Sequence, residues 1–247
     1  KKFAGSYFGV IWAFIQPVIT VLLYWFVFEF GLHQKVNDLR TGIEVPFVLW
    51  LMGGLVPWFY FQEALNGGTG VLDEYSYLVK KVVFQIDALP VVKLISALFT
   101  HAFFVVFMLV VFAVMGFYPD LYVLQVVYYS FCMVMFTAGL IYATSAVTVF
   151  FRDMKEVVAI LLQIGMWVTP IMWNFESMQG IPKWAVVLLK LNPMYYIVSG
   201  YRDALINKTA FWEHPGLTLW FWGITLFTLW AGTTVFKRLR VHFADVL

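Results

Sequence analysis

The chain has 247 residues, of which 62% are hydrophobic and 12% charged, with a formal net charge of +2. Soluble domains are about half apolar and about a quarter charged, and one small domain has too much surface for its volume to hide such an excess from water, so a soluble enzyme is excluded. The small net charge says nothing of nucleic acid, and no basic run interleaved with aromatics points that way; the single cysteine, Cys132, excludes a disulfide framework or a cysteine metal site.

Six stretches contain no Asp, Glu, Lys or Arg: 3–28, 45–62, 94–119, 121–151, 157–175 and 214–236. A hydrocarbon core about 30 Å thick needs about 20 apolar residues to cross. The pattern predicts an all-α integral membrane protein, one transmembrane domain over 1–247. Its six transmembrane helices lie near 15–33, 46–65, 93–116, 121–150, 156–173 and 215–236. The first stretch joins an interfacial helix over 1–14 to a span starting near Ile15. The chain opens on Lys1 rather than methionine, so further residues are expected upstream. Lys1 and Lys2 suit anionic headgroups.

Asn66-Gly67-Gly68-Thr69-Gly70 ends the second span, and 70–81 then reads as one short amphipathic helix. Its apolar residues Leu72, Tyr75 and Leu78 recur every three positions, leaving Asp73, Glu74, Lys80 and Lys81 for water or a partner. Such a helix either rests on the headgroups or docks a second protein. Pro119-Asp120 makes a tight hairpin between the third and fourth spans, and Gly139 with Ala143 offers a small-residue face for close packing in lipid.

The region 174–213 holds two apolar pieces, 181–191 and 194–201, too short to span. Each has a helix-start signal: Pro182 for the first, Asn192-Pro193 for the second. Irregular backbone at membrane depth is tolerated only where protein or a water-filled cavity covers it, so short re-entrant helices at an outer mouth are expected here. With the N-terminus cytoplasmic, inside segments hold ten Lys and Arg and outside segments six, Arg202 and Lys208 among the latter. Basic residues favour the cytoplasmic side, which puts both termini inside.

No G-x-x-x-x-G-K-[ST] phosphate loop occurs, and the four histidines lack metal-ligand spacing. Uphill transport would draw on a second chain or an ion gradient. An ion-coupled carrier keeps ionisable groups inside its spans; here only His101 lies deep, and a lone helical His reads as a packed, hydrogen-bonded residue. An integral membrane glycan transferase would need a carboxylate or His cluster at one membrane face, and none is visible.

An ordered set of motifs then carries a resemblance. They begin with Gly5-Ser6-Tyr7-Phe8-Gly9-Val10-Ile11-Trp12 and Gln16-Pro17, then Gly54-Leu55-Val56-Pro57-Trp58 with Phe61 and Glu63. Leu78-Val79-Lys80-Lys81-Val82-Val83-Phe84 follows, with Gln85 where a Pro is expected, then Phe151-Arg152-Asp153-Met154-Lys155-Glu156 and Thr169-Pro170-Ile171. Ile181-Pro182, Leu191-Asn192-Pro193-Met194, Tyr201-Arg202 and Phe243-Ala244-Asp245 complete it. Over essentially its whole length the chain resembles the permeases of type-2 ABC exporters for polysaccharides, and most of all their O-antigen branch.

The resemblance implies a bacterial inner-membrane protein pairing with a second copy of itself around a central channel, above two copies of a separate ATPase. ATP and Mg would bind that ATPase, with no cofactor, metal or catalytic residue in this chain. The cargo would be undecaprenyl-pyrophosphate-linked polysaccharide: O-antigen, or a capsule or teichoic acid chain. The first and fifth spans would border the channel, with Gln16, Thr20 and Tyr24 one helical turn apart, and Gln163, Trp167 and Asn174 near one face. Amides and hydroxyls beside rings suit sugars, although inter-helix hydrogen bonding and interfacial anchoring explain such residues equally. ATPase coupling falls to Asp73, Tyr75, Leu78, Lys80, Arg152 and Asp153. Arg152 and Asp153 are open to two other roles, orienting a lipid pyrophosphate and capping the fifth helix. The outer gate falls to Pro170, Pro182, Asn192 and Pro193. Two alternatives remain: an ATPase-independent lipid or solute transporter, and a membrane glycan transferase.

Overall fold

The computed structural model describes residues 12–31, 36–37, 44–79, 85–174 and 180–246. Most of the expected interfacial helix over 1–14 lies outside them, as do Lys80 and Lys81. Helix α1 (Trp12–Trp25) runs on through a π-helical turn, Phe26–Gly31, and a short antiparallel ribbon pairs β1 (Val36–Asn37) with β2 (Glu44–Val45). Then follow α2 (Phe47–Thr69), α3 (Val71–Glu74), α4 (Ser76–Val79), α5 (Ala88–Val114), α6 (Gln125–Phe150) and α7 (Met154–Val168). The chain closes with α8 (Lys183–Leu191), α9 (Pro193–Arg202), α10 (Pro215–Leu239) and α11 (Phe243–Val246).

Among the described residues, four helical stretches are long and apolar enough to cross a membrane: Phe14–Gly31, Ala88–Val114, Leu121–Phe150 and Pro215–His242. The expected second and fifth spans are helices, α2 and α7, but outside that set. α7 has 15 residues, about 22 Å at 1.5 Å per residue. It stops at Val168 rather than near 173, because Pro170 has no N–H to continue the ladder. α2 is diluted by Pro57, its glycines, Gln62 and Glu63. It is nevertheless deeply enclosed, packing against α1, α5, α6, α7 and α9, with Leu49, Leu51, Leu55 and Trp58 in the core.

One glycine run departs from the sequence expectation. The Asn66–Gly70 run does not end the helix early; α2 continues to Thr69. Gly68 sits where a Cβ would lie 2.6 Å from the Ile141 side chain, so its missing side chain admits α6. The small face of α6 serves packing within the chain. A Cβ on Gly139 would meet the backbone of Thr228 and Leu229 at 2.7 Å, and one on Gly232 would collide with the Gly139 carbonyl and approach the Ala143 nitrogen at 3.3 Å. α6 and α10 thus touch backbone to backbone, the contact small residues permit in lipid.

Ion pairs gather at two ends of the bundle. At one end lie Asp73–Lys155 (2.6 Å), Glu74–Lys93 (2.7 Å) and Asp87–Arg240 (2.6 Å). At the other, Asp120 pairs with Lys208 at 2.8 Å and caps the turn before α6 by accepting the Tyr122 N–H. The hairpin between α5 and α6 turns through Gly116, whose φ of 87° lies where side chains are disfavoured.

Candidate functional site

A cavity of about 460 Å³ opens between α1, α2 and α5, with Met166 of α7 at its margin. α1 contributes Trp12, Gln16, Thr20 and Tyr24, and α5 contributes Thr100, His101 and Phe104. α2, otherwise enclosed, exposes three side chains, Gln62, Glu63 and Asn66, and all three line this cavity. Their i, i+1, i+4 spacing places them on one side of the helix. Polar groups from two facing helices and the rings of Tyr24, Phe59 and Tyr60 thus share one space inside an apolar bundle.

At the cavity wall, His101 Nε2 lies 2.9 Å from the Tyr201 hydroxyl and 3.2 Å from Ser130 Oγ, and those two oxygens are 2.6 Å apart. His101 is a packed, hydrogen-bonded residue joining α5, α6 and α9.

At the Asp73 end, α3 is fastened by Asp73 to Lys155 of α7 and by Glu74 to Lys93 of α5, whose ammonium also lies over the Tyr75 ring. Val71 and Leu72 are buried with Phe236 and Phe243, so α11 closes over this end.

At the Asp120 end, α7 gives way to the irregular segment 169–174. The Asn192 amide donates to Thr169 Oγ1 at 2.8 Å while its carbonyl oxygen accepts the Met194 N–H and caps α9. The buried guanidinium of Arg202 donates to the carbonyls of Pro170 and Ile171, each at 2.7 Å, and of Trp50 at 3.3 Å, and stacks on the Trp50 ring.

The family profile for ABC-2 type transporters matches residues 1–206. The chain belongs to the ABC-2 type transporter membrane family. Three relatives align with this ABC-2 chain over nearly all its length. The O-antigen export system permease protein RfbA of Myxococcus xanthus is 26% identical over 244 residues, covering 99% of this chain and 90% of that protein. The protein of the same name from Klebsiella pneumoniae is 24% identical over 251 residues, with 100% and 90% covered. The polysialic acid transport protein KpsM of Escherichia coli is 25% identical over 238 residues, with 96% and 88% covered. All three are named for transport rather than for an enzymatic reaction. This ABC-2 chain is a multi-pass membrane protein.

Its predicted site residues divide. Gln16, Thr20 and Tyr24 meet in the cavity, Thr20 also donating to the Gln16 carbonyl at 2.9 Å. Gln163 and Trp167 do not join them: both are exposed on α7, which turns Met166 to the cavity instead. Asn174 lies beyond the end of α7, half-buried, so it shares no helical face with either.

The expected single helix over 70–81 is broken at Tyr75 into α3 and α4, with Leu72 in the buried cluster and Tyr75 packed against it. The exposed aromatic there is Tyr77; the Leu78 side chain and Lys80 lie outside the description. Arg152 and Asp153 form an exposed turn, and the Asp153 side chain makes no capping bond to α7. Of the residues expected at an outer gate, Pro170, Asn192 and Pro193 gather around the end of α7, whereas Pro182 stands exposed before α8.

Sequence reasoning placed Arg202 among loop charges and passed over Glu63 and Asn66 as site residues. The spacing of Gln62, Glu63 and Asn66 is a usable signal; for Arg202 the Tyr201-Arg202 motif marks the position but not its partners.

Proposed function

We propose that this chain is the membrane channel subunit of an ATP-driven exporter that moves undecaprenyl-pyrophosphate-linked polysaccharide, O-antigen in kind, outward across the bacterial inner membrane. Two copies form the channel, and two copies of a separate ATPase, which holds ATP and Mg, dock beneath them. In this reading α2 and α7 count as spans, making six; the Asp73 end and both termini face the cytoplasm, with an interface helix over 1–14. α8 and α9 re-enter at the outer mouth.

The observation that carries the reading is the cavity. A helix buried on every other side spends its exposed positions on Gln62, Glu63 and Asn66, opposite Gln16, Thr20 and Tyr24. Sugars offer hydroxyls to amides and carboxylates, and apolar ring faces to Tyr and Phe, so such a lining suits a glycan chain of varied sequence. The choice of O-antigen over capsule follows the Myxococcus and Klebsiella relatives. Coupling runs through α3, where Asp73 and Glu74 fasten the segment facing the ATPase to α7 and α5.

The test is reconstitution in proteoliposomes with a polysaccharide-exporter ATPase subunit from the same organism and a lipid-linked O-polysaccharide. ATP-dependent delivery of glycan to the opposite leaflet is expected, and the chain alone should hydrolyse no ATP. Delivery that persists without the ATPase would move the assignment to an ATPase-independent transporter.

A further inference from the structure

We propose that Arg202 is a positioning residue that latches the outer exit, holding the segment after α7 shut against α2. The proposal rests on the outward placement of the Asp120 end given above. Irregular backbone at membrane depth needs partners, because lipid supplies none. Between Val168 and Asn174 the chain has left the helix; the Ile171 N–H reaches only back to the Thr169 carbonyl, at 2.7 Å. The Pro170 and Ile171 carbonyls are taken instead by the two ends of one guanidinium, whose Nε donates to the Trp50 carbonyl. One planar side chain at the end of α9 therefore binds α2 and the exit segment together, a geometry the fork of Arg allows and a Lys ammonium does not.

The site is shaped for this contact. Gly53 and Gly54 of α2 form a slot: a Cβ on Gly54 would lie 2.9 Å from Arg202 Nη2 and 3.1 Å from Ile171 Cγ2, and one on Gly53 would lie 3.3 Å from Arg202 Cγ. Trp50, one turn earlier, provides the face on which the guanidinium stacks. Next to Arg202, Tyr201 is tied to His101 and Ser130, so the base of the latch is anchored in α5 and α6. Only the segment it holds lacks helical bonds of its own. Loss of the guanidinium contacts leaves residues 170–172 held mainly by the packing of Ile171 and Met172, so the segment loosens while the bundle stands.

The experiment places a thiol at the buried position Met172 (Met172→Cys) and follows its reaction with a membrane-impermeant maleimide in spheroplasts and in inside-out vesicles. Buried Cys132 of α6, read by peptide mapping with a permeant reagent, reports general loosening. Arg202→Lys should raise outer-face labelling at 172 about ten-fold, the factor that one charge-assisted hydrogen bond is worth in an equilibrium, while Cys132 stays protected. Gly54→Ala, which keeps the guanidinium but fills its slot, should do the same and carries the test should Arg202→Lys fail to accumulate. An unchanged rate at 172, or a rise shared by Cys132, overturns the latch. A rise seen only in inside-out vesicles overturns the outward placement, and the proposal with it.

Discussion

Lys155 at the start of α7 holds the carboxylate of Asp73 at 2.6 Å, so the segment after α2 and the helix beside the cavity are joined by one ion pair. The pair is partly exposed, where such contacts contribute about 1 kcal/mol or less to stability. Its consequence is mechanical: a shift of α3 is felt at α7 through this contact.

Asp73→Lys and Lys155→Asp should therefore each lower ATP-dependent export several-fold, roughly the effect of losing about 1 kcal/mol of coupling, with little change in thermal stability. The double exchange restores the pair with its charges reversed and should recover most of the export. Measured initial rates decide the matter; a normal rate in Asp73→Lys would show that α3 does not transmit force through this contact.

The backbone contact between α6 and α10 makes a sharp contrast within one helix. Gly232→Ala drives a methyl into the Gly139 carbonyl and should lower stability by about 2 kcal/mol or more, as overpacking does. Gly223→Ala, whose new Cβ meets nothing within 4 Å, should be neutral or slightly stabilising, because Ala is the better helix former. Thermal unfolding of the purified chain in detergent should separate the two variants by several degrees.

In the cavity, Gln16→Leu and Asn66→Leu should each slow export about five-fold at unchanged membrane content, the value of one lost hydrogen bond of about 1 kcal/mol. Gln163→Leu, on the exposed side of α7, should cost less unless that side meets a second copy around the shared channel. Equal losses at positions 16 and 163 would show that the exposed side of α7 borders the channel as fully as α1 and α2 do.

Orientation is testable at the ion pair between Asp120 and Lys208. Single cysteines at 183 and 208 in a Cys132→Ser background should react with an impermeant reagent in spheroplasts, and one at 155 only in inside-out vesicles. Reaction of 208 and 155 from the same face would contradict the crossing of α7 and the two-ended charge pattern.

Much of this molecule was legible in its residues because lipid imposes a one-dimensional rule: a span must be long, apolar and hydrogen-bonded within itself. The helices near 93–116, 121–150 and 215–236 follow from that rule alone, and Asn192-Pro193 starts α9 because a cap and a Pro at the first position act locally. The four-residue spacing of Gln16, Thr20 and Tyr24 gave a face, and the structure puts a cavity against it.

What tertiary structure decided depends on neighbours far apart in the chain. Leu72 is buried against Phe236 and Phe243, more than 160 residues further along the chain. Gly139 is matched to Gly232, and Arg202 to Trp50 and Pro170. No local pattern announces such pairs. A buried guanidinium and an exposed one are the same letter in sequence, and only the carbonyls that surround it, brought in by other helices, make burial of the charge tolerable.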